Sequence, residues 1–505
     1  MTRLTIFGLL TLAVLLPSAA QAQVNVILST ESDAFPTNPN ATLGTDTIGA
    51  LTRRPDISTN GRYIGIEAGL QIGDPSPIGN PPTDDAAVVI DLQTNSRTVI
   101  GREDETTFPG IEIEIVNGEE VEVDVPIGSI NDSVEVNNTG QAAFHAGDSI
   151  TTFWDGTNLT QVVAEGDPSP AGAPLSEYGN QFSQVQLTNA GVVGGQYDSN
   201  GTGEAPSSRD NFLSLGSTIL VAGNTSLPGY SVQDSNLSGA TENFSEVNVS
   251  AEGTDWIVEI RFDDASGFDS TITVNGIVVA QEGLTTHTTP GDFSLVYDNT
   301  LDADIANGGQ WITHSRSENS IDYTLVNGIA VLAENELAPN GSTLTSMSGV
   351  SINSNGEYVS LWNTDGDEDN NAVVILFNDI TLLTKGDTLS VDYNGDGTLE
   401  DLVIRSFPTD AFNLADDGTL AMIVSLNDPA GTEVGNALVT LNINDFFGLI
   451  GDVNLDGIVN FLDIAPFISR LTTSDFQFEA DIDGNGTVNF LDIAPFIGIL
   501  TTNGS

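Results

Sequence analysis

The chain of 505 residues has no cysteine, three histidines, and 12 bases (one of them lysine, Lys385) against 71 acids, for a formal charge of −59. Each shortage excludes something. Without cysteine there are no disulfides, thiolate metal sites or cysteine nucleophiles. Without a basic patch, binding to nucleic acid or to an anionic membrane surface has no electrostatic footing. Long apolar runs are missing too: beyond the N-terminus no segment reaches the ~18 apolar residues of a transmembrane helix, so no membrane insertion is expected. Charged residues make up 16 % of the chain, below the usual ~25 %, so the imbalance is an absence of bases rather than a surplus of acids. What remains is 39 % hydrophobic with a mean hydropathy near zero. That is enough apolar surface for a large core, unlike a disordered acidic tail. The length suggests two or more domains, or one large repeat domain.

The N-terminus reads as an address. Arg3 precedes an apolar run from Leu4 to Leu16, too short to span a bilayer comfortably, and Ala20-Gln21-Ala22 supplies a small-x-small cleavage signature. Residues 1–22 are therefore expected to be a secretory signal peptide, with the mature chain starting at Gln23.

The strongest internal signal is at the other end. Asn460-Phe-Leu-Asp-Ile-Ala-Pro-Phe-Ile468 recurs letter for letter as Asn489 to Ile497. Each copy follows a loop rich in Asp, Asn and Gly. The first carries Asp452, Asn454, Asp456, Gly457, Asn460 and Asp463; the second carries Asp481, Asp483, Asn485, Gly486, Asn489 and Asp492. Calcium takes six to eight oxygen ligands, and alternate residues of a tight loop can supply them from positions 1, 3 and 5. Position 6 is glycine for the sharp turn, position 7 gives a backbone carbonyl (Ile458 or Thr487), and position 12 closes the shell with a carboxylate, here Asp463 or Asp492.

This tandem pair of loops, each followed by a helix and lacking the preceding helix of a true EF-hand, resembles a type I dockerin. The resemblance covers residues 448–505 and implies two calcium-bound loop-helix units related by near two-fold symmetry, with a cohesin-like or cell-surface protein as partner. It makes calcium the expected cofactor and the twelve residues named above (glycines apart) its expected ligands. Two departures stand out. Positions 10 and 11, commonly small and polar in cellulosomal dockerins, are Phe461-Leu462 and Phe490-Leu491; they are read as core residues or, otherwise, as an apolar docking face. Pro466 and Pro495 fall beyond the first turn of each expected helix, where proline removes a backbone donor and favours a bend or a late start.

Between these ends the chain shows almost no helical period. Short runs rich in Val, Ile, Thr and Phe are punctuated by Asn-Gly, Asp-Gly and Pro-Gly, an all-β pattern. Aligning glycines exposes a weak repeat. Its clearest copy is Asn137-x-x-Gly140-x-x-Ala143-Phe144, with further copies at Gly356 and Gly418 and weaker ones at Gly61, Gly191, Gly253 and Gly309. Asn275-Gly276 and Asn327-Gly328, between alternating apolar residues, mark hairpins. Seven units of this kind suit one propeller blade each, and they resemble secreted bacterial proteins with NxxGxxAF tandem repeats. The seventh unit stops after Asn436–Ile443 without the third strand of the others. The spare segment Val24–Ser29 is expected to complete it, closing the ring so that no sheet edge stays unpaired.

A third acidic loop, Asp392-x-Asn394-x-Asp396-Gly397-x-x-Glu400, resembles the calcium loop of FG-GAP propeller blades, and calcium is the expected occupant. Asp365-x-Asp367-x-Asp369 lacks the glycine and reads as a solvated turn. No catalytic motif appears; His145, His287 and His314 lack metal-ligand spacing and read as structural or surface residues, and Trp154, Trp256, Trp311 and Trp362 read as core rather than as a carbohydrate-stacking platform.

The fold expected is mainly β: a seven-bladed β-propeller-like domain over 23–446, then a small α-helical dockerin-like calcium-binding domain over 447–505. The favoured function is secreted binding and assembly, the dockerin-like module tethering a recognition domain. The alternative is an extracellular glycoside hydrolase acting on polysaccharide; two carboxylates flanking a cavity with aromatics beside them would favour it.

Overall fold

The computed structural model describes the chain from Val24 to Asn503, apart from residues 31–46, 52, 72–82, 104–106, 117–118, 128, 148, 172–176, 200–210, 234–236, 266, 368–371, 410, 444–450, 452, 455–458, 474–479, 481 and 483–487. The signal peptide expected over 1–22 and Asp369 of the solvated turn lie outside the described residues. The chain divides into two compact units, one from Val24 to Thr440 and one that includes Leu441–Ser505.

The first unit is a seven-bladed propeller of antiparallel sheets. The inner strands of blades 1 to 7 are Asp56–Ile57, Ile130–Val136, Tyr178–Leu187, Thr241–Val249, Ser294–Ala306, Leu344–Ile352 and Phe412–Leu414. Each repeat glycine falls in the turn between an inner strand and the strand that follows it. All seven have left-handed φ, from +68° at Gly61 to +83° at Gly418, a conformation that glycine adopts without a Cβ penalty. The alternating runs that follow form the outer strands, and Asn275-Gly276 and Asn327-Gly328 turn with φ of 49°/77° and 49°/84°, the type I′ signature.

Ring closure follows the expectation from the spare N-terminal segment, with one correction. Asn25–Ser29 pairs antiparallel with Glu433–Asn442, the third strand of blade 7, so it supplies the outermost, fourth strand rather than a third. A hairpin of Thr388–Val391 and Glu400–Ser406 pairs with Thr419–Asn427 of the same blade and carries the Asp392 loop at its tip.

Apolar side chains fill the spaces between neighbouring blades. Ile64, Ile66 and Ile90 of blade 1 pack with Ile423 and Leu438 of blade 7 and Leu28 of the N-terminal strand; Trp362 of blade 6 lies fully buried in the cluster it shares with Ile312 of blade 5. Trp256 and Trp311 are buried as well, so the core reading holds for three of the four tryptophans; Trp154 is half-buried at the edge of the cluster between blades 1 and 2.

Polar side chains stitch the blades along the central axis. Inner strands have no partner on the channel side, and their N–H groups must be satisfied some other way. In four of the blades the residue five positions before the repeat glycine does this: Asp56, Gln186, Asp304 and Ser351 accept hydrogen bonds from the backbone N–H of Val136, Val249, Ile352 and Leu414 in the next blade. The repeat asparagines add a second belt. The Asn137 side-chain oxygen caps its own turn by accepting from the N–H of Thr139 and Gln141, while its amide donates to the Thr188 carbonyl of blade 3. Asn353 does the same between blades 6 and 7.

In the second unit, helices α1 (Ile464–Thr473) and α2 (Ile493–Asn503) each begin beyond their loop. Against the expectation, Pro466 and Pro495 do not fall beyond the first turn: each helix starts late, so both are third in their helices, where an N–H has no intrahelical acceptor, and no kink is needed. Phe467 and Phe496, equivalent residues of the two repeats, stack with centroids 4.1 Å apart in a core with Val453, Val459, Ala480, Val488 and Leu500.

Candidate calcium loops, docking face and channel

The C-terminal loops end in two carboxylates taken wholly out of water. Asp463 and Asp492 are 0 % exposed. Asp463 accepts from the N–H of Asn460 at 2.8 Å and of Asn454 at 2.9 Å; Asp492 accepts from the N–H of Asn489 at 2.7 Å. Asn460 and Asn489 turn their side-chain oxygens onto the N–H of Leu462 and Leu491, the N-cap interaction that starts each helix. A buried carboxylate held by backbone donors at position 12, with asparagine oxygens at positions 3 and 9, is a donor set of hard oxygens, which fits calcium. Of the expected ligands, Asp452, Asp456, Ile458, Asp481, Asp483, Asn485 and Thr487 lie outside the described residues. The described ones are Asn454, Asn460, Asp463, Asn489 and Asp492, and the structure seats each carboxylate against its own helix start.

The residues between ligand and helix break the core reading. Phe461 and Leu462 are 71 % and 68 % exposed, Phe490 and Leu491 81 % and 67 %. The periodicity that buries Phe467 and Phe496 turns these four outward, because the cap at Asn460 or Asn489 fixes where each helix begins. Ile468 and Ile497 are exposed as well, so each repeat carries the same apolar patch.

Residues 450–500 match the family model of the dockerin type I domain. The C-terminal unit is a dockerin. Dockerins of this type bind calcium and support tethering to cohesin partners outside the cell, and no described helix is long and apolar enough to cross a membrane. Among curated proteins none matches the chain. Solved structures with similar backbones include the β-propeller domain of the Trilobed protease from Pyrococcus furiosus (9 % identity, 78 % of this chain and 93 % of that one, TM-score 0.35). Others are oligogalacturonate lyase from Vibrio parahaemolyticus (8 %, 84 % and 99 %, TM-score 0.41) and Porphyromonas gingivalis dipeptidyl peptidase 4 (10 %, 83 % and 55 %, TM-score 0.35). At such scores these likenesses carry no argument about this propeller's activity.

The propeller's own cavity was not anticipated from sequence. About 370 Å³ in volume, it is lined by Arg53, Arg54, Asp56, Glu135, Glu246 and Asp302 together with the amides of Gln184, Gln186, Asn248 and Asn413. Arg54 reaches Asp302 and Asp304 at 3.5 Å and the Val350 carbonyl at 3.4 Å. Gln184 and Glu246 sit at bulges of adjacent inner strands with left-handed φ of 53° and 47°, which re-aims a side chain. Burial pushes the Asp56 carboxyl up to about 6, against the N–H of Val136 and the charge of Arg54; burial and the neighbouring Asp56 push Glu135 up as well. The signal in sequence was a polar residue five before every repeat glycine. Asp56, Asp302, Gln184 and Gln186 serve as acceptors for backbone N–H groups of the next blade, and no aromatic side chain is among the described residues of the lining.

The remaining candidates are structural. His145 is buried beside Phe182 and Tyr197, His287 beside Tyr323, and His314 Nε2 lies 3.4 Å from Asp322. The Asp392 loop is ordered by its own side chains: Asp392, Asn394 and Asp396 each accept from a loop N–H (Gly397, Asp396 and Thr398), and Glu400 accepts from the Tyr393 N–H and the Asn394 amide. Among the described residues no three His, Asp or Glu side chains converge as a metal cluster, so Asp392, Asp396 and Glu400 are neighbours in one loop without meeting at one point.

Proposed function

We propose that the chain is a secreted calcium-binding protein whose dockerin tethers the propeller to a cohesin-type or cell-surface partner, leaving the propeller as a recognition domain. The observation that carries this reading is the pair of identical exposed patches, Phe461-Leu462 and Phe490-Leu491. Apolar side chains of this size held in water at two equivalent positions mark an interaction surface. In this reading the loops bind calcium through Asp452, Asn454, Asp456, Ile458, Asn460 and Asp463 and through Asp481, Asp483, Asn485, Thr487, Asn489 and Asp492. Calcium would supply the charge balance that lets two carboxylates stay buried, while the asparagine caps orient the helices that present the patches. The glycoside hydrolase alternative has acids in the channel but no aromatic side chain beside them among the described residues of the lining, and the tethering reading is preferred; polysaccharide is a ligand class for the propeller to be tested.

Binding of the full chain to a panel of purified cohesin domains, measured by calorimetry with calcium and with chelator, tests the reading. Calcium-dependent binding that is lost in the Phe461→Ser, Phe490→Ser double variant is expected. Equal binding with chelator, or by the double variant, would overturn it.

A further inference from the structure

The polar residues five positions before the repeat glycines are not all put to the same use. Asp56, Gln186, Asp304 and Ser351 are committed to the backbone of the next blade. Glu135, Asn248 and Asn413, from blades 2, 4 and 7, accept no backbone N–H of the next blade among the described residues. Glu135 takes the Ser133 hydroxyl of its own strand at 2.6 Å, and the Asn413 amide donates to Asp56 Oδ1 at 3.3 Å. The Asn248 side chain makes no hydrogen bond to any described residue. All three line the cavity of about 370 Å³, and all three also line a second one of about 80 Å³. The positions released from the blade junctions are thus ones that border the central space.

Backbone strain lies in the same wall. Of the described non-glycine residues with left-handed φ, only Gln184 (53°) and Glu246 (47°) fall within inner strands, and both line the larger cavity. A residue with a Cβ adopts this conformation at a cost, and such residues cluster where a ligand is gripped.

The charges of the wall are matched within it. Arg54 is shared by Asp302 and Asp304, and Arg53 pairs with Glu67. An anion would have to displace a carboxylate, and a cation would compete with the two arginines for the same acids. Burial and the neighbouring Asp56 push the Glu135 carboxyl up, and in its protonated form it donates as well as accepts. Beyond the matched charges the wall offers amides and this acid, donors and acceptors together, with no aromatic side chain among its described residues. A hydroxyl also donates and accepts. A ligand with hydroxyls on every side satisfies such a wall; one that carries full charge or needs stacking does not. The larger cavity lies at the low end of the ~300–1,000 Å³ typical of small-molecule sites.

We infer that the axial cavity binds a small uncharged polyol, either free or as the end of a glycan, through Glu135, Asn248 and Asn413. The inference gives a ligand class to the recognition domain proposed above and rests on that reading of the propeller; it does not depend on the dockerin.

The test is calorimetric titration of the full chain with glucose, galactose, sorbitol and lactose as neutral probes, glucuronate as the anion and glucosamine as the cation. Saturable binding of at least one neutral probe is expected, with the charged probes weaker by about tenfold or more. Asn248→Leu is expected to weaken that binding by at least about tenfold while the propeller melting temperature is kept, and Glu135→Gln, which keeps a neutral donor and acceptor, to retain it. Lactose binding more tightly than either monosaccharide would assign the site to a glycan end, and sorbitol or a monosaccharide binding as tightly would assign it to a free polyol; both results sustain the class. Absence of binding by every neutral probe would overturn the site. Unchanged affinity in Asn248→Leu would overturn its location, and preference for glucuronate or glucosamine would overturn its class. Cohesin binding measured on the same samples reports on tethering separately: it is expected to be unaffected by Asn248→Leu, and polyol binding to be unaffected by Phe461→Ser with Phe490→Ser.

Discussion

The propeller and the dockerin are both built from repeats, and they repeat different things. Across seven blades the copies keep a left-handed glycine turn, an alternating apolar pattern, and a polar residue five positions before the glycine that is Asp, Glu, Gln, Asn, Asp, Ser and Asn in turn. At four of these positions the side chain accepts a hydrogen bond from the next blade's backbone, a role that Asp, Gln and Ser all fill, so the chemistry of the position drifts. In the dockerin, buried Asp463 and Phe467 recur as Asp492 and Phe496, and so do exposed Phe461 and Leu462. Packing accounts for identity in the first pair and not in the second. The units differ in scale as well: the propeller holds several large apolar clusters between blades, whereas the dockerin core is a handful of side chains around one aromatic stack. A unit that small needs a staple, and calcium is the one its loops can take.

Removing calcium is the broadest way to break this comparison. With chelator the dockerin is expected to lose its cooperative transition in scanning calorimetry, while the propeller transition survives and shifts only modestly. Simultaneous loss of both transitions would show that the contrast in stabilisation is wrong. Next in size is Trp362→Ala, which empties a fully buried site in blade 6 and is expected to cost about 3–5 kcal/mol in urea unfolding of the propeller, with the dockerin transition unmoved. Asn137→Ala strips one turn of its cap and one blade junction of its donor; a loss of about 1–3 kcal/mol is expected.

Titration sharpens the comparison within the ring. Asp56 is raised from 3.8 to about 6, chiefly by burial, so its native form holds a proton that its unfolded form has released. Its contribution is fully present below about pH 4 and is lost as pH rises through about 6. Asp56→Asn keeps a side-chain acceptor for Val136 and is expected to flatten the fall in propeller melting temperature between pH 4 and 7. Asp322 behaves oppositely. Burial raises its carboxyl, but bonds from His314 and Arg316 outweigh that and hold it at about 2, so its stabilisation is present above about pH 4 and fades as pH falls toward 2. The smallest effect on stability belongs to the exposed Phe-Leu pairs. Phe461→Ser with Phe490→Ser is expected to change dockerin melting by no more than about 0.5 kcal/mol, since both rings are already in water; a larger loss would return them to the core.

Much of this was legible in order along the chain. The seven glycines, the type I′ hairpins and the spare strand all report local backbone chemistry, which neighbouring residues decide. The loop ligands and the Phe-Leu pairs were legible as a repeat, but whether the pairs face in or out was not. That turned on the register of each helix, and the Asn460 and Asn489 caps set it. The channel went unseen although its spacing was regular, because a polar residue on a half-buried strand reads as solvent-facing until the seventh blade meets the first.

By itself, then, the sequence determined the local elements of this protein: where the chain turns, which runs are strands, which loops can offer oxygens to calcium, and that thiols take no part. Only the tertiary structure decided which polar residues hold blades together, which apolar ones are left for a partner, and that Tyr393 of a calcium-type loop lies against the N-terminal strand. Those facts depend on contacts between residues hundreds of positions apart, as with Ser29 and Tyr393, and such contacts exist only once the ring has closed.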